Sequence, residues 1–163
     1  MHYFRKITQL LLLTCGALAC QKESSRSPCL EPKSVALRIQ VSQRVDTNTV
    51  DSALRSPVLT PIGGEGVLQY TEATAKLQLY PSPLADSCQY VLRTDTASAL
   101  ADTLSFGYGR QLRYISDACG YGYIYNLLSA RATGNFIDSV RIRNAAITSD
   151  VNSPVHVQIY LRR

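Results

Sequence analysis

The chain has 163 residues, 45% of them hydrophobic and 18% charged, with a formal net charge of +5. That length supports one domain with a real core and is too short for two typical ones. Loss of Arg5 and Lys6 with an export signal leaves a net charge of +3, which is no nucleic-acid footprint.

Arg5 and Lys6 stand before an apolar run, Leu10 to Ala19, that ends at Cys20. Charge, hydrophobicity and the small Ala19 before the cysteine read as a bacterial lipoprotein signal over residues 1–19, with Cys20 as the acylated (palmitate-bearing) first residue of the mature chain. The stretch from Ile7 to Ala19, broken by Thr8 and Gln9, falls short of the about 20 apolar residues of a spanning helix. The rival is an ordinary cleaved signal, since Ala17-Leu18-Ala19 is also an A-x-A site, and Cys15 after Thr14 is the weaker acceptor. Residues 20–28, rich in Ser, Lys, Glu and Pro, form a flexible tether, and the folded domain occupies residues 29–163. Gln21 is not the Asp that retains lipoproteins at the inner membrane, so the expected location is the cell envelope at the outer membrane. Lys22-Glu23 leaves the periplasmic and surface faces both open.

Beyond the tether the periodicity is that of strands. Val35, Leu37, Ile39 and Val41 alternate with polar or small residues, as do Leu77 and Leu79, then Leu104, Phe106 and Tyr108, then Val155, Val157, Ile159 and Leu161. Residues 67–70, 89–93, 111–116, 121–128 and 137–143 complete about nine candidate strands. Turn signals divide them: Pro57, Pro61 to Gly64, Pro81-Ser82-Pro83, Asp117, Thr133-Gly134-Asn135 and Asn152-Ser153-Pro154. The expected fold is all-β, a single antiparallel sandwich of immunoglobulin-like or related Greek-key type. Its terminal strands lie near each other, each supplying four inward apolar residues. A charge at Ile39 or Ile159 then unfolds the domain, while one at Arg38 or Gln158 is tolerated.

With Cys15 discarded and Cys20 acylated, Cys29, Cys88 and Cys119 permit one disulfide and one free thiol in an oxidising compartment. The reading adopted is Cys29 with Cys119, because Cys29 opens the domain and is otherwise a loose end, whereas Cys88 fits a strand as a small apolar residue.

The segments Asp102 to Tyr108, Tyr114 to Tyr121 and Ile137 to Val140, with Cys29-Leu30, carry a resemblance. In the order Cys-Leu, Asp-Thr-Leu-x-Phe-x-Tyr and Ser-x-x-Cys-Gly-Tyr, the chain from Cys20 to its C-terminus resembles the DUF6452 family of Bacteroidota lipoproteins. The resemblance implies an anchored β-rich domain and carries over no catalytic residue. The same phylum's O-glycosylation sequon, Asp-Ser/Thr-apolar, is similar to the segments around Ser52 and Thr96, the better candidates, and around Thr103 and Ser139, which look embedded in strands.

Chemistry-bearing residues are sparse. His156, the one histidine of the mature chain, sits on the polar phase of its strand and reads as an exposed structural residue. Too few His and Cys are available for a metal site, and no cofactor motif is present. Gly63-Gly64-Glu65-Gly66 lacks the Gly-Lys-Ser/Thr ending of a phosphate loop, and the carboxylates fall near turns. The aromatic constellation is different. Tyr121, Tyr123 and Tyr125 share one strand face, with Phe106, Tyr108 and Tyr114 on neighbouring strands. Exposed, they form a platform for sugars or a protein partner; packed inward, they are core, which the absence of Trp and shortage of Phe favour. The expected function is a non-catalytic envelope module, held at the membrane by its lipid and binding an envelope protein or a glycan. The alternatives are a hydrolase acting on envelope or dietary polymers and a carrier of a small apolar ligand.

Overall fold

The computed structural model describes residues 28–30, 34–150 and 154–162. The signal, Cys20, most of the tether and the Asn152-Ser153 turn lie outside the described residues. Eleven strands follow in chain order: β1 (Leu37–Val45), β2 (Asn48–Asp51), β3 (Val58–Pro61), β4 (Leu68–Gln69), β5 (Lys76–Leu79), β6 (Ser87–Arg93), β7 (Ala101–Ser116), β8 (Gly120–Ala132), β9 (Ile137–Ile142), β10 (Ala146–Ile147) and β11 (Val157–Leu161).

They build two packed sheets, an all-β sandwich. One sheet runs β2-β1-β11-β9 with β5 also on β1; the other runs β10-β8-β7-β6-β3-β4. The period-two alternation sets the core between them. Leu37, Ile39 and Val41 of β1, Leu77 and Leu79 of β5, Leu104, Phe106 and Tyr108 of β7, and Val157 and Ile159 of β11 are all buried there. Each such side chain removed from water contributes about 1.5–3 kcal/mol.

The terminal strands do more than lie near each other. β1 and β11 pair directly and in parallel, with Ile39 opposite Val157 and Val41 opposite Ile159. Among the described residues this is the one parallel pair in an otherwise antiparallel arrangement. Nearly the whole domain separates the two strands, so no hairpin forces them to run in opposite directions.

The strands missed by periodicity have physical reasons to be missed. β2 is exposed throughout and exists because Asp46, at φ 55°, turns the chain back onto β1. β3 lies between Pro57 and Pro61, and the ladder survives because Pro61 falls at its last position, after which Ile62 N–H donates to the Gln89 carbonyl at 2.9 Å. Segments expected as two strands, Leu104 to Tyr108 and Gln111 to Ser116, are the single 16-residue β7, because the ladder to β8 continues through Gly109, opposite Asn126, and Arg110, opposite Tyr125.

The polar phase of β11 is not solvent-facing, which corrects two expectations. Gln158 is buried; its Nε2 donates to Ser42 Oγ at 3.0 Å and its Oε1 accepts from Tyr160 O–H at 3.0 Å. The Arg44 guanidinium lies 4.6 Å from the Tyr160 ring centroid. β1 and β11 are interior strands of their sheet, so long polar side chains on this face shield one another. We therefore expect Gln158→Glu to cost about 1–3 kcal/mol by placing a charge in that network, with Ile159→Asp unfolding the domain; urea midpoints measure both.

His156 is likewise fully buried. Its Nδ1 accepts from the Arg38 backbone N–H at 2.9 Å, while the His156 backbone N–H donates to the Arg38 carbonyl at 3.0 Å. Burial, then the Arg38 charge, push its pKa down against the opposing pull of the Ala146 carbonyl. The unfolded chain therefore binds more protons, so stability is full above the unfolded value of about 6.5 and falls as pH drops toward the lower folded value. His156→Gln is expected to abolish that slope in urea midpoints measured against pH.

Candidate functional site

The long strands β7 and β8 do not stop where the sandwich stops. β6 accompanies β7 only as far as Gly107, opposite Ser87, and β10 reaches β8 only at Tyr125 and Asn126. Past those points Gln111–Tyr114 and Tyr121–Ile124 pair with each other alone, forming a two-stranded arm. The junction contains a bulge between Gly107 and Tyr108. A Cβ at Gly107 would stand 2.7 Å from Ser129 Oγ, which would have to turn away.

The loop from Tyr80 to Asp86 braces the base. Tyr125 O–H donates to the Pro81 carbonyl at 3.3 Å and Ser82 N–H donates to the Tyr108 hydroxyl at 2.9 Å. Arg110 donates through Nη1 to the Pro83 carbonyl and through Nε to Asp86 Oδ1, each at 2.7 Å.

One face of the arm is aromatic and apolar. Cross-strand pairing sets Leu112 against Tyr123 and Tyr114 against Tyr121. Tyr108 and Tyr125 meet edge to face at 5.3 Å, Tyr123 stacks on Tyr125 at 6.4 Å, and Tyr114 meets Tyr121 edge to face at 5.4 Å. The core thus runs outward as a row of tyrosines until nothing faces it. Tyr125 is 6% exposed, whereas Tyr123 is 36%, Tyr114 49%, Leu112 55% and Tyr121 64% exposed.

This divides the three tyrosines that sequence placed together. Tyr125 is core, as expected; Tyr121 and Tyr123 are not, because their strand outruns the opposite sheet. Tyr125→Ala is expected to cost about 3–5 kcal/mol and Tyr121→Ala no more than about 0.5 kcal/mol, a contrast that thermal unfolding of the two variants reads directly.

The tip is built by the motif Ser116 to Tyr121. Ser116 Oγ accepts from Cys119 N–H at 3.2 Å, Gly120 turns the chain at φ +71°, and the Tyr114 hydroxyl donates to Asp117. That hydrogen bond holds the Tyr114 phenol above its usual pKa. Cys119 is bonded to Cys29, with Cα atoms 4.7 Å apart, as expected from the cysteine arithmetic. β1 starts at Leu37, eight residues after Cys29, so the bond holds the tip within about 30 Å of the start of β1.

Other candidates are dispersed. Cys88 is a free, half-buried thiol, pushed up to about 11 mainly by burial, which makes it a poor nucleophile. Gly63 and Gly66 turn the exposed β3–β4 loop at positive φ and lead to a strand. Thr96 is exposed in the β6–β7 turn and Ser52, after β2, is half-buried, while Thr103 and Ser139 lie within β7 and β9. A cleft of about 360 Å³ is lined by Arg44, Asp46, Asp138, Tyr160, Leu161 and Arg162. Among the described residues no three His, Cys, Asp or Glu side chains come together as metal ligands would.

Sequence reasoning missed Asp102, which shares the inward phase of Leu104, Phe106 and Tyr108 and is fully buried. A carboxylate in an apolar phase was the available signal. It placed Leu112 in the expected strand 111–116 but not on the aromatic face, of which it is the apolar centre.

No curated protein and no solved structure matches the chain. A family model described as a family of unknown function, DUF6452, matches residues 57–161. The match takes in the Asp102–Tyr108 strand and the Ser116–Tyr121 tip but neither Cys20 nor Cys29-Leu30. It spans well over half of the sequence, and the chain belongs to the DUF6452 family.

Proposed function

We propose that this is a lipid-anchored protein of the bacterial cell envelope, held at the outer membrane through Cys20, that works without catalysis as a contact module. Its working surface is the aromatic face of the β7–β8 arm. One observation carries this reading: the exposed tyrosine face ends at a tip that Cys119–Cys29 ties to the chain nine residues after Cys20. A continuous apolar and aromatic surface of this kind marks an interaction site rather than a cost left uncorrected.

The space a small-ligand carrier would need between the sheets is filled by Tyr108, Phe106, Leu37, Leu59 and Ile137, all below 2% exposed. A hydrolase would use the Asp46–Asp138 cleft. That cleft is lined by Arg44, Tyr160, Leu161 and Arg162 as well.

The test has two parts. Intact-mass analysis of the native protein is expected to show acylation of Cys20, and Cys20→Ser to move the protein out of the membrane fraction. In vivo cross-linking through the arm, at Tyr121 and Tyr123, is then expected to capture contacts that equivalent probes at Leu100 do not. Loss of a hydrolytic activity on Asp138→Asn would instead support the enzyme.

A further inference from the structure

The arm's aromatic face has an occupant that the covalent geometry selects. The tip at Cys119 is bonded to Cys29, and nine residues from Cys29 back to Cys20 reach at most about 30 Å. A bilayer holding the acyl chains of Cys20 therefore lies within that distance of the tip. β7, with 16 residues, is about 50 Å long at a rise of about 3.3 Å per residue. Leu100, just before β7, is accordingly at the far end of the domain.

The chemistry of the face agrees with a lipid interface. Leu112 has Tyr123 across from it and Tyr114 and Tyr121 on its distal side, with Arg110 next to it toward the body. Tyrosine collects at membrane interfaces because its ring is apolar and its hydroxyl remains hydrated. Arg113 belongs to the opposite phase, across from Gly122, and the Asp117 carboxylate at the tip accepts from the Tyr114 hydroxyl. The one guanidinium on this face, Arg110 opposite Tyr125 at its base, is engaged by Asp86 and the Pro83 carbonyl; beyond it the cross-strand pairs supply leucine and more tyrosine rather than groups placed to read sugar hydroxyls.

We infer that the aromatic face of the β7–β8 arm rests in the headgroup interface of the bilayer that holds Cys20, so that the domain meets the membrane at two points, the lipid and the arm. The inference rests on the proposed acylation of Cys20 and names the surface that the arm contacts. Two attachments fix an orientation that a flexible tether alone leaves free, and they direct Leu100 and its neighbouring turns away from the membrane.

The absence of tryptophan makes the test clean, because each Trp variant carries a single indole. The lipidated full-length chain with Tyr121→Trp or Leu100→Trp is reconstituted into vesicles of phosphatidylethanolamine and phosphatidylglycerol, with or without brominated acyl chains. Flotation reports anchoring separately. Tyr121→Trp is expected to lose at least half of its emission to the brominated lipids and to shift to the blue, while Leu100→Trp is unchanged. A chain that floats with Tyr121→Trp no more quenched than Leu100→Trp overturns the arm contact alone. An arm covered by a protein or a second copy gives a blue-shifted but unquenched Tyr121→Trp, and overturns it equally. A chain that fails to float overturns the anchor and this inference with it.

Discussion

Asp102→Ala is expected to lower folding stability by about 3–5 kcal/mol, the scale for removing one partner from a buried, hydrogen-bonded charge. The carboxylate is fully buried. It accepts from Thr133 Oγ1 at 2.6 Å and from the backbone N–H groups of Asn135, Phe136 and Ile137 at 2.7, 2.8 and 2.8 Å. Those donors belong to the link between β8 and β9, where the chain leaves the six-stranded sheet for the five-stranded one. Gly134 turns there at φ +83°, and no strand pairing satisfies the donors if Asp102 is lost. Burial by itself pushes the Asp102 pKa up, but the hydrogen bonds from Thr133, Asn135, Ile137 and Phe136 outweigh it and hold the group below its ordinary value. The unfolded chain then takes up its proton first as the solution is acidified. This contribution is complete above the unfolded value of about 3.9 and is lost as pH falls through the lower folded value. Urea midpoints from about pH 5 downward should decline more steeply for the native chain than for Asp102→Asn. Asp102→Asn keeps one acceptor oxygen but turns an amide toward N–H donors. A variant as stable as the native chain would show that the turn, and not the carboxylate, holds the crossover.

Asp102 also marks how far the sequence alone could be read. The alternation in β1, β5, β7 and β11 was legible because each of those strands has one apolar phase, and it led to the sandwich and much of its core. The Cys29–Cys119 bond was legible from the chain's own arithmetic. What escaped depends on lateral position. Gln158 and His156 occupy the polar phase, yet they are buried because β11 lies between β1 and β9; a period of two reports which face a residue takes and nothing about its neighbours. Tyr121 and Tyr125 show the converse. They share a phase and differ tenfold in exposure, 64% against 6%, because the opposite sheet ends between them. The arm therefore became visible only when the lengths of β6, β7 and β10 could be compared. The family motif takes on physical meaning at the same point. Leu104, Phe106 and Tyr108 fill the core, Asp102 pins the crossover, and Ser116 to Tyr121 builds the tip of the surface through which the module is proposed to act.

Removing the disulfide is expected to cost as much as removing Asp102, by a different route. Cys29 and Cys119 are 90 residues apart in sequence, and in the chain-entropy model a loop of that length restricts the unfolded chain by about 4–5 kcal/mol. Cys29→Ser with Cys119→Ser should accordingly lower the urea midpoint by a similar amount to Asp102→Ala, with no dependence on acid pH. The native-state consequence is separate and local. The arm's distal half is joined to the body through β7 and β8 themselves and through the brace of Arg110 on Pro83 and Asp86; the disulfide is the bond at its far end. Without it, amide exchange at Leu112 to Ile124 should rise by an order of magnitude or more, an opening free energy lower by about 1.4 kcal/mol per tenfold, while Leu104 and Phe106 stay protected in the sandwich. Equal loosening of both regions would mean that the arm and the body unfold as one unit. Loosening confined to the arm would mean that Cys29–Cys119 exists to hold the tyrosine face at a fixed place relative to the tether. The contact module proposed above, working by position, requires that arrangement, since its surface would be useful only where the proposed anchor can present it.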